Sequence, residues 1–201
     1  MKRGLLLSFL AFVLLSCERG NESKLVLYRP VPSNESGIDF ANNITISNEL
    51  NFFNFGYIYS GAGVAVGDIN NDGLQDVFFA GNMVGNKLYL NKGDLKFKDI
   101  TQEAGILNND QWNSGVAMSD VNGDGFLDIY VSVSGTKDMN KENLLYINNG
   151  DLTFSEMAKD YGLDNKGLST HAAFFDYDND GDLDCYLLNN TIKSIGIGFD
   201  L

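Results

Sequence analysis

Apolar residues along this chain fall in short runs separated by clusters of Gly, Asn and Asp, with almost no stretch at helical spacing. The runs recur in a fixed order. Gly63-Val-Ala-Val-Gly-Asp68 matches Gly115-Val-Ala-Met-Ser-Asp120, and His171-Ala-Ala-Phe-Phe-Asp176 is a third version. Each is followed by an Asp-rich loop and then a β-rich run: Asp76-Val-Phe-Phe-Ala, Asp128-Ile-Tyr-Val-Ser-Val and Asp184-Cys-Tyr-Leu-Leu. Next, Lys87-Leu-Tyr-Leu-Asn-Lys-Gly-Asp94 pairs with Leu144-Leu-Tyr-Ile-Asn-Asn-Gly-Asp151, and Leu95-Lys-Phe-Lys-Asp-Ile100 with Leu152-Thr-Phe-Ser-Glu-Met157. The Asn-x-Gly-Asp between those last two runs is hairpin-turn chemistry.

One unit therefore reads strand, Asp loop, strand, looser loop, strand, tight turn, strand. The fourth strand is expected to place Leu95, Phe97 and Asp99 on one face and Lys96, Lys98 and Ile100 on the other. Small residues in strand one (Gly63, Ala65, Gly67; Gly115, Ala117, Ser119) suit a crowded innermost position. A helical turn is expected only at Gln102–Ala104 and Ala158–Tyr161. Gly37-Ile-Asp-Phe-Ala-Asn42 resembles a fourth strand without its unit, which predicts an N-terminal outer strand.

The Asp loops carry the candidate chemistry. Each reads D-x-[DN]-x-D-G-x-x-D, and they start at Asp68, Asp120 and Asp176. Oxygen side chains at positions 1, 3, 5 and 9, with Gly at 6 and a backbone carbonyl at 7, give the spacing that wraps a hard cation. Calcium is favoured over magnesium, which demands a tight octahedron, and no His or Cys in the loops invites zinc or copper. Such ions would be structural, because no acid, base or nucleophile accompanies the phrase.

Charge follows from these loops. The net charge is −13, and 11 of the 27 acidic residues are loop Asp residues. There is no basic stripe to meet phosphates, so the charge disfavours nucleic-acid binding, and no nucleic-acid partner is expected. Lys2 and Arg3 followed by the apolar Leu5–Leu15 and then Ser16-Cys17 read as a signal ending in a lipobox-like junction. By that resemblance Cys17 becomes a lipid-bearing N-terminus, anchoring the protein to a bacterial envelope without a transmembrane helix. Glu18 after it is compatible with outer-membrane sorting by analogy. If Cys17 is lipidated, Cys185 has no disulfide partner, and it reads as a small strand residue.

The repeated units resemble the VCBS/FG-GAP repeats, the calcium-loop blades of integrin-α-type β-propellers. Asn-Lys-Leu-Tyr-Leu-Asn and Phe-x-Asp-Ile-Thr-x-x-Ala-Gly are similar to the bacterial VCBS proteins related to cartilage acidic protein. The resemblance covers roughly residues 36–190 and implies an all-β fold of four-stranded antiparallel propeller blades. It implies about three calcium sites. Their ligands would be Asp68, Asn70, Asp72, the Leu74 carbonyl and Asp76; Asp120, Asn122, Asp124, the Phe126 carbonyl and Asp128; and Asp176, Asp178, Asp180, the Asp182 carbonyl and Asp184.

The expected layout is a signal peptide over 1–16, a lipidated Cys and polar tether over 17–35, and an outer strand and lead-in over 36–60. Blade 1 follows over 61–105, blade 2 over 106–162 and part of blade 3 over 163–201. Family propellers have about seven blades, so the chain reads as the N-terminal piece of a longer protein. The implied role is a binding or scaffold module recognising protein or glycan, and not an enzyme. The alternatives are the front of an extracytoplasmic carbohydrate-active enzyme whose catalytic region lies beyond Leu201, or a nonfunctional fragment. His171 is the single histidine, in a packing or rim position. Trp112, Tyr57 and Tyr59 sit on loops before strand one, where they would pack or stack on a partner.

Overall fold

The computed structural model describes residues 28–106 and 111–190. The chain divides into two compact units, Met1–Val31 and Pro32–Leu201. Of the first, only residues 28–31 are described, without helix or strand. The expected signal, Cys17 and most of the tether lie outside the described residues, as do residues 191–201. Among the described residues no helix is long and apolar enough to cross a membrane.

The second unit opens with one helical turn, α1 (Ser33–Ser36), closed by Gly37 at φ +82°. Three antiparallel sheets follow. The first orders β1 (Val64–Gly67), β2 (Asp76–Phe79), β3 (Lys87–Asn91) and β4 (Phe97–Asp99) as neighbours in chain order. The second repeats this with β5 (Trp112–Ser119), β6 (Asp128–Ser134), β7 (Leu144–Asn148) and β8 (Phe154–Glu156). The third is the pair β9 (Leu168–Phe175) and β10 (Asp184–Asn190).

Registers explain why the units superpose in sequence. Gly67 pairs with Asp76, Ser119 with Asp128 and Phe175 with Asp184, so each Asp loop is the turn of a first hairpin. The helical turns also fall in place. Ala104 N–H donates to Ile100 O at 2.7 Å, and Tyr161 N–H donates to Met157 O at 3.2 Å.

The sheets bury their faces on each other. Phe78, Leu88, Leu90 and Ile100 of the first unit share one core with Val116, Ile129, Val131 and Tyr146 of the second. Tyr130, Leu145 and Ile147 of the second share another with Ala172, Phe174, Cys185 and Leu187 of the third. Full burial of each such large side chain stabilises by about 1.5–3 kcal/mol. β6 is buried along its whole length, as expected for a strand covered on both faces.

Strand one lies closest to its neighbours. A Cβ on Gly63 would meet Val116 N at 2.6 Å, and one on Gly115 would collide with the Thr170 carbonyl oxygen. Main chain therefore touches main chain at each step. On β9 the corresponding outward residues are His171, Ala173 and Phe175, all exposed beside Tyr186 and Leu188 of β10.

Three expectations need correction. Residues 37–42 form no strand. They cross the first sheet as an unpaired segment, with Phe40 stacked on Phe79 at 4.9 Å and Asp39 Oδ1 accepting from the Tyr89 hydroxyl at 2.6 Å. Side-chain contacts thus hold this segment where a ladder was expected. Leu95 does not belong to strand four, because it sits in the preceding turn at φ +57°, and Leu152 repeats this at φ +68°. Trp112 is not on a loop: it begins β5, buried edge-on against Phe55 at 4.9 Å.

Candidate cation-binding loops

Two backbone positions in each loop require left-handed φ. Position 6 is Gly in all three (Gly73 +86°, Gly125 +93°, Gly181 +98°), with open space around each Cβ direction. Glycine is there for its conformation alone. Position 4 takes the same region with Asn71 (+58°), Gly123 (+73°) and Asn179 (+63°). These are residue types that tolerate it.

That backbone curls amides onto the first carboxylate. In loop one, Asp68 Oδ1 accepts from Asp72 N–H at 3.1 Å and Oδ2 from Gly73 N–H at 2.7 Å. Loop two repeats this with Asp120 accepting from Asp124 and Gly125 at 3.0 and 2.8 Å. In loop three Asp176 accepts from Asp180 and Gly181, both at 3.2 Å. Position 5 then turns the chain at position 7. Leu74, Phe126 and Asp182 N–H donate to Asp72, Asp124 and Asp180 at 2.8, 2.9 and 3.2 Å. Position 3 is tied to position 5 where it is Asn: Asn70 and Asn122 donate to Asp72 and Asp124 at 3.1 and 2.9 Å.

The ninth residue closes each loop from below. Asp76 Oδ2 accepts from Ile69 N–H at 3.0 Å, and its Oδ1 accepts from Asn91 N–H at 2.7 Å. Asp128 does the same with Val121 at 2.9 Å and Asn148 at 2.8 Å. Both carboxylates are fully buried. Burial pushes each above the ordinary Asp range; the two amides oppose this, while the first and fifth carboxylates of the loop add to it. Asp184 keeps the first bond, accepting from Tyr177 N–H at 2.9 Å, and is exposed.

Loop three brings its charge together most closely. Oxygens of Asp176, Asp178 and Asp184 all lie within 4.8 Å of one another. That fits one coordination shell, since a calcium–oxygen distance of about 2.4 Å gives a shell diameter of about 4.8 Å. Asp182 is exposed, and its carboxyl is raised by its hydrogen bond and repulsion with Asp180, with Asp184 and Asp178 adding.

Sequence reasoning missed Asn91 and Asn148. Both belong to Asn-x-Gly-Asp, and both side chains do make the turn, accepting from Gly93 and Gly150 N–H at 2.9 Å. Their amides also donate into the Asp loop, to Gln75 O at 2.8 Å and Leu127 O at 3.1 Å. The signal was an Asn at the same place in both units. Of the other candidates, Tyr57 is half-buried, Tyr59 is exposed, and His171 points outward from β9.

A hairpin whose Asp-rich turn is clamped by its own amides thus recurs three times among the described residues, followed in the first two units by two further strands. The FG-GAP-like repeat model matches residues 68–131 and 133–187. The chain belongs to the FG-GAP-like repeat family. The first match begins at the first Asp loop, and the second begins within β6 and ends within β10. Among relatives, cartilage acidic protein 1 of Xenopus tropicalis is 32% identical over 155 residues, 76% of this chain and 22% of the relative. The Homo sapiens protein of that name is 30% identical over 138 residues, 67% of this chain and 20% of the relative. The chain thus spans about a fifth of the length of these relatives.

Proposed function

We propose that this FG-GAP repeat chain is a calcium-stabilised binding or scaffold module, displayed on a bacterial envelope through a lipidated Cys17. The observation that carries the calcium reading is the loop-three cluster, three carboxylates sized for one shell, on a backbone wrap that loops one and two reproduce. In this reading Asp68, Asn70, Asp72 and Asp76 hold the first ion, Asp120, Asn122, Asp124 and Asp128 the second, and Asp176, Asp178, Asp180 and Asp184 the third. The carbonyls of Leu74, Phe126 and Asp182 complete the sets. A hard, oxygen-only donor set favours calcium. Bound calcium would neutralise repelling carboxylates and fix each first hairpin, a structural role.

The sheets are read as propeller blades, because each first strand sits against the next unit's first strand, and the outer strands β4 and β8 are short and more exposed than the strands inside them. A binding role is favoured over catalysis because the Asp residues are engaged in loop structure, and the single histidine, His171, is an exposed residue of β9 outside the loops.

Calorimetric titration with calcium, repeated with magnesium, tests the metal reading. Calcium binding to about three sites supports it, and absence of binding heat overturns it. A protein and polysaccharide binding screen, run with and without chelator, tests the module reading. Calcium-dependent binding without turnover supports it, and release of oligosaccharides would replace it with the enzyme alternative.

A further inference from the structure

The first two Asp loops are joined by two hydrogen-bond bridges, and we infer that cation binding at one raises affinity at the other, with Asn71 and Asn148 as the positioning residues that couple them. This rests on the calcium reading above.

The first bridge is buried. Asn148 N–H donates to the loop-two closing carboxylate, Asp128 Oδ1, at 2.8 Å, and its side-chain amide donates to Ile69 O of loop one at 2.8 Å. Ile69 N–H in turn donates to the loop-one closing carboxylate, Asp76 Oδ2, at 3.0 Å. The two closing carboxylates are thus linked through only two residues, and all four are at most 3% exposed. Water competes poorly for such bonds, so a shift of one carboxylate is transmitted.

The second bridge is exposed. Asn71 Nδ2, at position 4 of loop one, donates to Gly125 O, at position 6 of loop two, at 3.0 Å. Gly125 N–H is one of the two amides on Asp120, a proposed first ligand. Drawing either loop around an ion therefore orders backbone that the other loop shares. The ordering entropy is spent once for two ions, which is positive coupling.

The bridge is specific to this pair. Loop two has Gly123 at position 4, with no side-chain amide to reach onward to loop three. Gly123 also supplies the test substitution, because the chain itself accepts Gly at that left-handed position.

The test uses the full chain carrying Asp178→Ala to disable loop three, titrated with calcium alone by calorimetry. Two sites should remain, filling with positive cooperativity. Adding Asp124→Ala to disable loop two should weaken loop one by about fivefold or more, the low end of ordinary coupling. In the Asn71→Gly background that loss should fall to about twofold, with the buried bridge retaining the rest. As a second readout, loop one is disabled by Asp72→Ala, and calcium at loop two should then slow hydrogen exchange of the Ile69 amide. If Asp124→Ala prevents folding, Asn71→Gly alone decides: the two stepwise constants should move together. Loop-one affinity indifferent to loop two, with Ile69 exchange unmoved, overturns the coupling while leaving the calcium reading intact. No calcium binding by the unaltered chain overturns both.

Discussion

Replacing Gly63 by Ala tests whether main-chain contact sets the spacing between units. Gly63 has ordinary backbone angles, so the new methyl brings no conformational strain of its own. It would even stabilise slightly, by about 0.4–1 kcal/mol, through the unfolded chain. Against this stands space: the Cβ would lie 2.6 Å from Val116 N, 2.8 Å from the Gly115 carbonyl carbon and 2.9 Å from its Cα. Ordinary contact begins near 3.4 Å, so β5 must retreat by about 0.8 Å. No flexible side chain is there to yield. Retreat would open the core shared by Val116, Ile129 and Phe78, and overpacking of this kind costs about 1–3 kcal/mol. The net expectation is a loss of about 1–2 kcal/mol, read as a lower urea midpoint at unchanged slope. Gly73→Ala is the control, since its Cβ meets nothing within 4 Å and its cost is left-handed strain of about 1–2 kcal/mol. The Gly73→Ala loss should depend on calcium, and the Gly63→Ala loss should not. A Gly63→Ala protein as stable as the original would show that main-chain contact at Gly63 does not set the spacing between units.

Other outcomes follow from the same geometry. Loop three, with the most acidic set, should bind calcium most tightly, so Asp178→Ala should remove the highest-affinity phase in a calorimetric titration; equal losses from Asn70→Ala and Asn122→Ala would contradict this. For Asp99, burial alone would raise the carboxyl, but hydrogen bonds from Lys87 and Thr101 and the Lys87 charge outweigh it and hold it below the ordinary range. Its contribution is therefore present above the unfolded value of 3.8 and lost as pH falls through the lower folded one. The stability gap between Asp99→Asn and the parent, measured by urea unfolding, should close in acid below that point. Tyr89→Phe removes the hydroxyl bonded to Asp39 and should cost about 1 kcal/mol, accompanied by faster proteolysis of the 37–42 segment.

Much of this fold was legible because its signals are local. The Asp phrase fixes a hairpin turn by spacing alone, and β2, β6 and β10 each begin at its ninth residue. The small residues of strand one announced close approach, and Gly63 and Gly115 meet backbone. What escaped was decided by contacts distant in sequence. Residues 37–42 have the pattern of a strand, yet Phe40 and Asp39 find Phe79 and Tyr89, and no ladder forms. Leu95 looked like a strand residue because its left-handed φ is rare for Leu and nothing in the alternation marks it. Within the loops, positions 1, 5 and 6 could be read directly, whereas Asn148 could not. Its role depends on an oxygen 79 residues earlier, reachable only when two units are stacked.

The glycine seats of strand one have a geometric consequence for the array. Where backbone rests on backbone, the interval between units behaves like the graduation of a ruler, fixed by atoms that every residue shares. Exchanging one apolar side chain for another on the outer strands can loosen the core, but it cannot shorten that interval. At the third unit the graduation changes. His171 and Phe175 stand where Gly63 and Gly67 stand in the first unit, and Gly115 and Ser119 in the second. Whatever surface is laid against β9 and β10 must meet imidazole and ring, and therefore stand off farther than either earlier step.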